Sequence, residues 1–204
     1  MSTTFLEKIK FFLSKTVAAE KSCGIMGEKG SDSMKTLLIV VDMQNDFVSG
    51  ALGSKDAQAI LPAVNRRIEA ADRVVYTLDT HGADYLSTRE GQKLPVAHCI
   101  KGTWGHALAD GLQIRENAPQ IEKPTFGSAA LGEYVRELFG RREIDAVELI
   151  GLCTDICVIS NAMLLKAFCP ELPVSVRADC CAGVSPISHQ NALEAMKVCQ
   201  IEIL

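Results

Sequence analysis

Three residues with complementary chemistry lie at or just after the ends of apolar segments. They are Asp42, Lys123 and Cys157. A thiol becomes a nucleophile when a neighbouring group accepts its proton, and a nearby ammonium lowers the thiol pKa. A carboxylate and a lysine can share these two tasks without a histidine. Each residue alone has a structural interpretation, such as a buried helix cysteine or a solvated lysine. Together they predict covalent catalysis by a cysteine.

A second group of residues combines one acid with two histidines. Asp79 and His81 are two residues apart at the end of an apolar segment, and His98 follows later in the sequence. One carboxylate and two imidazoles suit Zn²⁺, Fe²⁺ or Mn²⁺ and leave coordination positions for water or substrate. Glu90 lies between the histidines and is a candidate fourth ligand. The group predicts a divalent metal site, and we expect no organic cofactor.

The segment around Cys157 is predicted to be a buried strand that leads into a helix. Residues 146–150 are largely apolar, as in a strand buried on both faces. Gly151 ends the strand, Thr154 is the predicted N-cap, and a helix is expected over 156–168. Cys157 would then lie near the third helical position, where the helix dipole stabilises a thiolate.

Apolar segments alternate with helical patterns along the chain, which predicts an α/β fold. The expected sheet is doubly wound and mostly parallel, with helices on both faces. Residues 80–119 are expected to be irregular except for a short helix over 107–112, and Pro62 is expected in the first turn of its helix. The predicted strands are 37–42, 74–79, 120–123, 146–150, 173–178 and, at one edge, 199–204; the other predicted helices are 60–71, 129–139 and 188–197.

The candidate residues share one position relative to the predicted strands. Asp42, Asp79, Lys123 and Cys157 each lie at or just after the carboxyl end of a strand. In an open α/β sheet, ligands bind in the crevice outside those ends. We therefore expect these side chains to meet in a single site.

Composition narrows the class of protein. The chain has 204 residues, of which 48% are hydrophobic, and a net charge of −4, so nucleic acid is not the expected partner. A membrane partner is not expected either, because no apolar run approaches the ~20 residues of a membrane span. Eight cysteines without CxxC spacing indicate a reducing cytoplasm. A metal clip formed by Cys153 and Cys157 is disfavoured because no second pair has matching spacing.

Residues 1–34 differ from the rest of the chain. The first part has the pattern of a short basic amphipathic helix, followed by a linker. We expect this extension to lie outside the domain, with Met34 as a candidate natural start. A membrane-surface helix is the alternative interpretation.

Four segments resemble the isochorismatase-like cysteine hydrolases, a superfamily that includes the nicotinamidases. They occur in the family's order between residues 35 and 204. The segments are VVDMQNDF at 40–47, PVAHCIKGTWG at 95–105, EKPTFGS at 122–128 and GLCTDICV at 151–158. The resemblance implies an isochorismatase-like three-layer sandwich formed by a domain over residues 35–204.

The resemblance also implies a reaction. Asp42, Lys123 and Cys157 would form a catalytic triad that cleaves a small, nicotinamide-like carboxamide to an acid and ammonia through a thioester. The backbone N–H groups of Cys153 and Cys157 would form the oxyanion hole. The peptide bond between Leu152 and Cys153 would be cis.

The metal and the pocket follow from the same resemblance. Asp79, His81 and His98 match the nicotinamidase metal ligands, and in that branch the ion binds the pyridine nitrogen of the substrate. Phe47 and Trp104 are expected to line the substrate pocket. Family members are often oligomeric, which implies a homo-oligomer here.

The sequence also departs from the nicotinamidases. Thr80 stands where they usually have an aromatic residue, and the second half of their metal loop is absent from residues 82–91. Isochorismatase itself cleaves a vinyl ether and lacks the cysteine, so Cys157 favours amide hydrolysis. Three alternatives stay open: hydrolysis of another small substrate, such as an N-carbamoyl compound or an isochorismate-like ether; a non-catalytic binding subunit; and a redox-sensing thiol protein.

Overall fold

Six parallel strands form the central sheet of the computed structural model, which describes Met34–Leu204. They are β1 (Thr36–Val41), β2 (Arg73–Asp79), β3 (Gln120–Lys123), β4 (Ala146–Leu152), β5 (Val174–Ala182) and β6 (Glu202–Ile203). Their order across the sheet is β3-β2-β1-β4-β5-β6. The chain therefore builds outward from β1 in both directions, and the ligand crevice of such a sheet lies where β1 meets β4.

Helices cover both faces of the sheet, which confirms the predicted doubly wound α/β fold. In β1, Leu38 and Val40 pack toward the helix Lys55–Ala70. Leu37 and Ile39 pack toward the three helices on the opposite face, Ala129–Gly140, Ile159–Phe168 and Pro186–Val198. Alternate strand residues point to opposite faces, so both faces of this strand are buried. The helices are α1 (Asn45–Val48), α2 (Lys55–Ala70), α3 (Arg89–Lys93), α4 (Ala129–Gly140), α5 (Ile159–Phe168) and α6 (Pro186–Val198).

Two helix predictions are wrong. Pro62 lies inside α2 and not in its first turn, because the helix begins earlier. Ser54 caps it by accepting the N–H of Ala57 at 3.0 Å. Residues 107–112 form no helix; the long connection instead holds a 3₁₀ turn at Tyr85–Ser87 and α3. The cap determines where α2 begins, and the packing of the loop determines where its short helices form. The spacing of apolar residues in the sequence indicates neither.

Glu148 is the one acidic residue in the otherwise apolar β4. Its carboxylate is buried and accepts from Arg67 Nε and Arg177 Nε, each at 2.7 Å. These two guanidinium groups compensate the buried charge, which would otherwise be costly. Burial alone would raise the pKa of Glu148, but the hydrogen bonds from the two arginines lower it below its ordinary value.

The predictions for residues 1–33 lie outside the described residues. No helix within Met34–Leu204 combines the length and apolar character needed to cross a bilayer.

Candidate active site

Asp42 follows β1 and turns the chain out of the sheet. Its backbone is in the left-handed region, with a φ of 47°. The N–H of Asp42 donates to the carbonyl of Thr77 at 3.2 Å, and Thr77 Oγ1 donates to Asp42 Oδ1 at 2.6 Å. The neighbouring strand therefore fixes the orientation of a carboxylate that is completely buried.

Lys123, the last residue of β3, brings the predicted triad together. Its Nζ lies 2.6 Å from Asp42 Oδ2 and 3.5 Å from Cys157 Sγ. It also donates to the carbonyl of Thr125 at 3.1 Å. The lysine is only 1% exposed, so its charge acts in a region of low dielectric constant, where charges interact strongly.

Burial and neighbouring charges shift the pKa values of the acid and the thiol in this cluster. Burial raises the pKa of Asp42 even though Lys123 opposes the change, and burial together with Asp42 raises the pKa of Cys157 well above its usual value. Both shifts disfavour the negatively charged form of the group concerned. Asp42 Oδ2 is buried, and no hydrogen bond of good geometry reaches it from the described residues. The position of Cys157 near a helix N-terminus predicts a lowered thiol pKa, whereas its burial raises that pKa.

The turn that carries Cys157 begins with a close approach of two strands. Gly151 has a φ of 113°, and a Cβ atom there would lie 2.1 Å from the carbonyl oxygen of Val41. Only glycine fits this position. The peptide bond between Leu152 and Cys153 is cis, which confirms the expectation from the resemblance.

The predicted N-cap of this turn is wrong. The N-cap residue is Cys153, and Thr154–Val158 form a π-helical turn before α5 begins. Thr154 Oγ1 is instead engaged by the Nδ1 atom of His189, 2.8 Å away. The Cys153 carbonyl accepts the N–H groups of both Ile156 and Val158 at 3.1 Å. No backbone carbonyl of the described residues accepts from the N–H of Cys153, so that group is available to an oxyanion.

The predicted metal ligands also converge. Asp79 Oδ2 lies 2.9 Å from His81 Nε2 and 3.5 Å from His98 Nε2, and one ligand atom from each residue lies within 4.8 Å of the others. His98 is oriented because its Nδ1 lies 2.8 Å from the carbonyl of Val96. Such outer partners fix the ring orientation of metal-binding histidines.

Backbone pairing brings the two histidines together across 16 intervening residues. His81 forms a parallel bridge with Ile100: its N–H donates to the Cys99 carbonyl at 3.0 Å, and its carbonyl accepts from Lys101 at 2.9 Å. Asp46 Oδ2 accepts the N–H of Cys99 at 2.8 Å. These contacts hold the loop that carries His98 against the end of β2.

Glu90 lies near the metal ligands but at a longer distance. Its Oε1 atom is 3.7 Å from His81 Nε2, and its side chain projects from α3. Tyr85 fills the adjoining space, with ring centroids 4.6 Å and 4.9 Å from those of His81 and His98. Burial opposes ionisation of Asp79, yet hydrogen bonds from the histidines lower its pKa.

A cavity of about 400 Å³ opens beside Cys157. Phe47 lines it as predicted, but Trp104 does not: its side chain is 55% exposed and donates to Asp110 instead. Most of the wall consists of apolar residues from distant segments, for which the sequence carries no local signal. The lining residues are Phe47, Leu52, Gly53, Ser54, Ala57, Asp79, Glu90, Leu94, His98, Phe126, Leu152, Cys153, Ile156, Cys157, Gly183 and Val184.

Comparison with known proteins agrees with this geometry. The isochorismatase domain family model matches residues 36–204. The chain belongs to the isochorismatase family. A nicotinamidase/pyrazinamidase of Mycobacterium tuberculosis is 31% identical over 82% of this chain and 97% of its own length. A probable inactive nicotinamidase of Arabidopsis thaliana is 30% identical over 79% of this chain and 88% of its own.

A solved structure extends the similarity to three dimensions. The pyrazinamidase of Pyrococcus horikoshii in complex with zinc superimposes with a TM-score of 0.70 at 28% identity, covering 83% of this chain and 98% of that one. The isochorismatase domain of the present chain thus has the fold that the resemblance implied. Its Asp42, Lys123 and Cys157 meet as predicted, while their roles stay predictions.

Proposed function

We propose that this chain is a cysteine amidohydrolase that cleaves a small, neutral, nicotinamide-like carboxamide to an acid and ammonia. The observation that carries the proposal is the buried Lys123 ammonium, 2.6 Å from Asp42 and 3.5 Å from Cys157. A thiol beside a carboxylate and a fixed cation has the parts that nucleophilic catalysis requires.

The proposed reaction begins with proton transfer. Asp42 accepts the proton of Cys157 as the sulfur attacks the amide carbonyl, and Lys123 stabilises the thiolate that forms. The N–H groups of Cys153 and Cys157 donate to the oxygen of the tetrahedral intermediate. Asp42 then protonates the departing nitrogen, which leaves as ammonia, and a thioester remains. Water, deprotonated by Asp42, attacks the thioester; the acid is released and the proton returns to sulfur.

Asp79, His81 and His98 fit a divalent metal ion, because their ligand atoms converge within 4.8 Å and the donor set suits Zn²⁺, Fe²⁺ or Mn²⁺. We propose that they hold such an ion, with Glu90 as a fourth ligand after a small side-chain movement. The zinc in the related pyrazinamidase supports this assignment. When bound, the ion supplies an electrophilic position for a ring nitrogen of the substrate.

The cavity wall favours a neutral substrate. Apart from the catalytic and metal-binding groups, the lining is almost entirely apolar, and its Ser54 hydroxyl already caps α2. No arginine or lysine is among the described lining residues. A carboxylate-bearing N-carbamoyl compound or isochorismate-like ether would therefore have only the proposed metal ion as a cationic partner, whereas a neutral carboxamide needs none.

A homo-oligomer and a cytoplasmic location also belong to this proposal. The seven cysteines of Met34–Leu204 are all free thiols, in keeping with a reducing compartment. Sedimentation of the full chain tests the oligomeric state, and fractionation of cells tests the location.

Ammonia release from nicotinamide, pyrazinamide and benzamide tests the function. We expect turnover of at least one amide, and its loss in Cys157→Ala with the fold unchanged by circular dichroism. Cys199→Ala is the control, because this free cysteine is exposed and does not line the cavity. Undiminished turnover in Cys157→Ala would contradict the mechanism. A properly folded, metal-loaded wild type that releases no ammonia from any amide would favour a non-catalytic subunit, for which the probable inactive relative is a precedent.

A further inference from the structure

The side chain of Gln44 takes the place of a strand at the end of β2. β1 pairs with β2 in register only as far as Val41 and Thr77, after which Asp42 turns the chain away. β2 continues to Asp79, and no strand within Met34–Leu204 pairs with its last two residues on that side. Gln44 Oε1 accepts the Asp79 N–H at 2.8 Å, and Gln44 Nε2 donates to the Asp79 carbonyl at 2.9 Å.

The amide is completely used in this role. Gln44 is fully buried, and its Nε2 also donates to the carbonyl of His106 at 2.8 Å. Both donors and the acceptor therefore have partners, as a buried amide requires. Gln44 does not line the cavity, so its contacts place it behind the site and away from a substrate.

Asp79, whose backbone Gln44 binds, contacts both groups of the site through its carboxylate. Its Oδ1 lies 3.2 Å from Lys123 Nζ, while its Oδ2 lies 2.9 Å from His81 Nε2 and 3.5 Å from His98 Nε2. One carboxylate thus joins the nucleophile cluster to the metal ligands. On the opposite side, β3 pairs with Asp79 through Lys123. On the β1 side, the side chain of Gln44 satisfies both backbone groups of Asp79.

We propose that Gln44 is a positioning residue that holds Asp79 where its carboxylate can serve both groups. This inference rests on the proposed function for its catalytic part, and on the Asp79, His81 and His98 cluster for its metal part. A shift of about an ångström in a metal ligand or an oriented catalytic group is enough to reduce activity strongly. Loss of an outer-shell partner typically lowers metal affinity about 10- to 100-fold.

Gln44→Glu is the sharpest test, because it keeps the size of the side chain and replaces two donors with an oxygen facing two carbonyls. Gln44→Met removes the hydrogen bonds without adding charge. Asn65→Asp is the matched control: Asn65 also binds two backbone groups, Gly111 O at 2.8 Å and Gln113 N at 2.7 Å, outside the site. Each full-length protein is stripped of metal and titrated with zinc against a chromophoric chelator.

We expect zinc affinity to fall about 10- to 100-fold in both Gln44 variants and to stay unchanged in Asn65→Asp. For an amide that the wild type cleaves, kcat should fall more than KM rises, because Gln44 does not contact substrate. Folded Gln44 variants with wild-type zinc affinity and kcat would overturn the proposal. So would two variants that fail to fold by circular dichroism, since the role would then be structural only. Loss of zinc affinity in a protein without amidase activity would leave the metal part standing while the proposed function fails.

Discussion

Lys123 Nζ lies 3.2 Å from Asp79 Oδ1, so the lysine of the nucleophile cluster shares a buried acid with the metal-ligand histidines. The same ammonium is closer to Asp42, at 2.6 Å. Two carboxylates around one ammonium leave a net negative charge unless a further cation is present. A divalent ion bound by Asp79, His81 and His98 would compensate it, which makes the two halves of the site electrostatically dependent on each other.

Asp42→Asn should reduce kcat about 10²- to 10⁴-fold, the usual contribution of a general base. The amide cannot accept the thiol proton, although Thr77 can still hold the side chain in place. Asp110→Asn is the control, because that acid is exposed and bonded to Trp104. Steady-state kinetics of ammonia release measure kcat for both variants. A wild-type kcat in Asp42→Asn would exclude Asp42 as the base.

His98→Ala should lose bound metal, whereas His106→Ala should keep it. Of these two histidines, His98 belongs to the cluster of convergent ligand atoms and His106 does not. The Nε2 of His106 instead lies 2.9 Å from Thr80 Oγ1. Elemental analysis of the purified proteins measures the metal content. Equal metal content in the two variants would place the ion elsewhere.

Removing metal should reversibly alter activity. A protein dialysed against a chelator should bind substrate more weakly, because the cavity then offers no electrophilic partner for a ring nitrogen. Adding back zinc, iron or manganese one at a time shows which ion restores KM. A KM for nicotinamide that does not change between stripped and reloaded protein would argue against a substrate-facing ion.

Glu148→Gln should destabilise the protein by about 2 kcal/mol at pH 7, since it weakens charge-assisted hydrogen bonds to Arg67 and Arg177. The folded-state pKa of Glu148 is lowered from 4.5, so its stabilising effect is present above pH 4.5 and is lost as the pH falls below it. The variant and wild type should therefore converge in acid. Urea unfolding at pH 7 and in acid measures the difference in the free energy of unfolding between the two proteins. Glu194→Gln, in an exposed pair with Lys197, is the control and should change little.

Gly151→Ala should destabilise the fold by about 2–5 kcal/mol, because it combines an unfavourable φ with a clash against the Val41 carbonyl. Gly140→Ala, at the end of α4, is the matched control: a Cβ atom there meets nothing within 4 Å. Thermal unfolding distinguishes the two. A Gly151→Ala protein as stable as wild type would show that β1 and β4 can move apart.

Much of the fold could be read from the sequence because its causes are local. Apolar segments that alternate with helix-length patterns indicated the strands and the α/β arrangement. Parallel strands then bring their carboxyl ends to one edge of the sheet. That is enough to predict that Asp42, Asp79, Lys123 and Cys157 meet. The family segments added the roles proposed for them and the cis bond before Cys153.

The tertiary structure decided everything that depends on residues far apart in sequence. It buried Cys157, which raises the thiol pKa, whereas the position near a helix N-terminus predicted a lower one. It placed Trp104 outside the cavity and left Glu90 at 3.7 Å from His81. It also revealed Gln44, a residue within a recognised segment whose contact with Asp79 spans 35 residues. Hydrogen bonds and burial of this kind arise from the folded arrangement, so sequence spacing alone could not determine them.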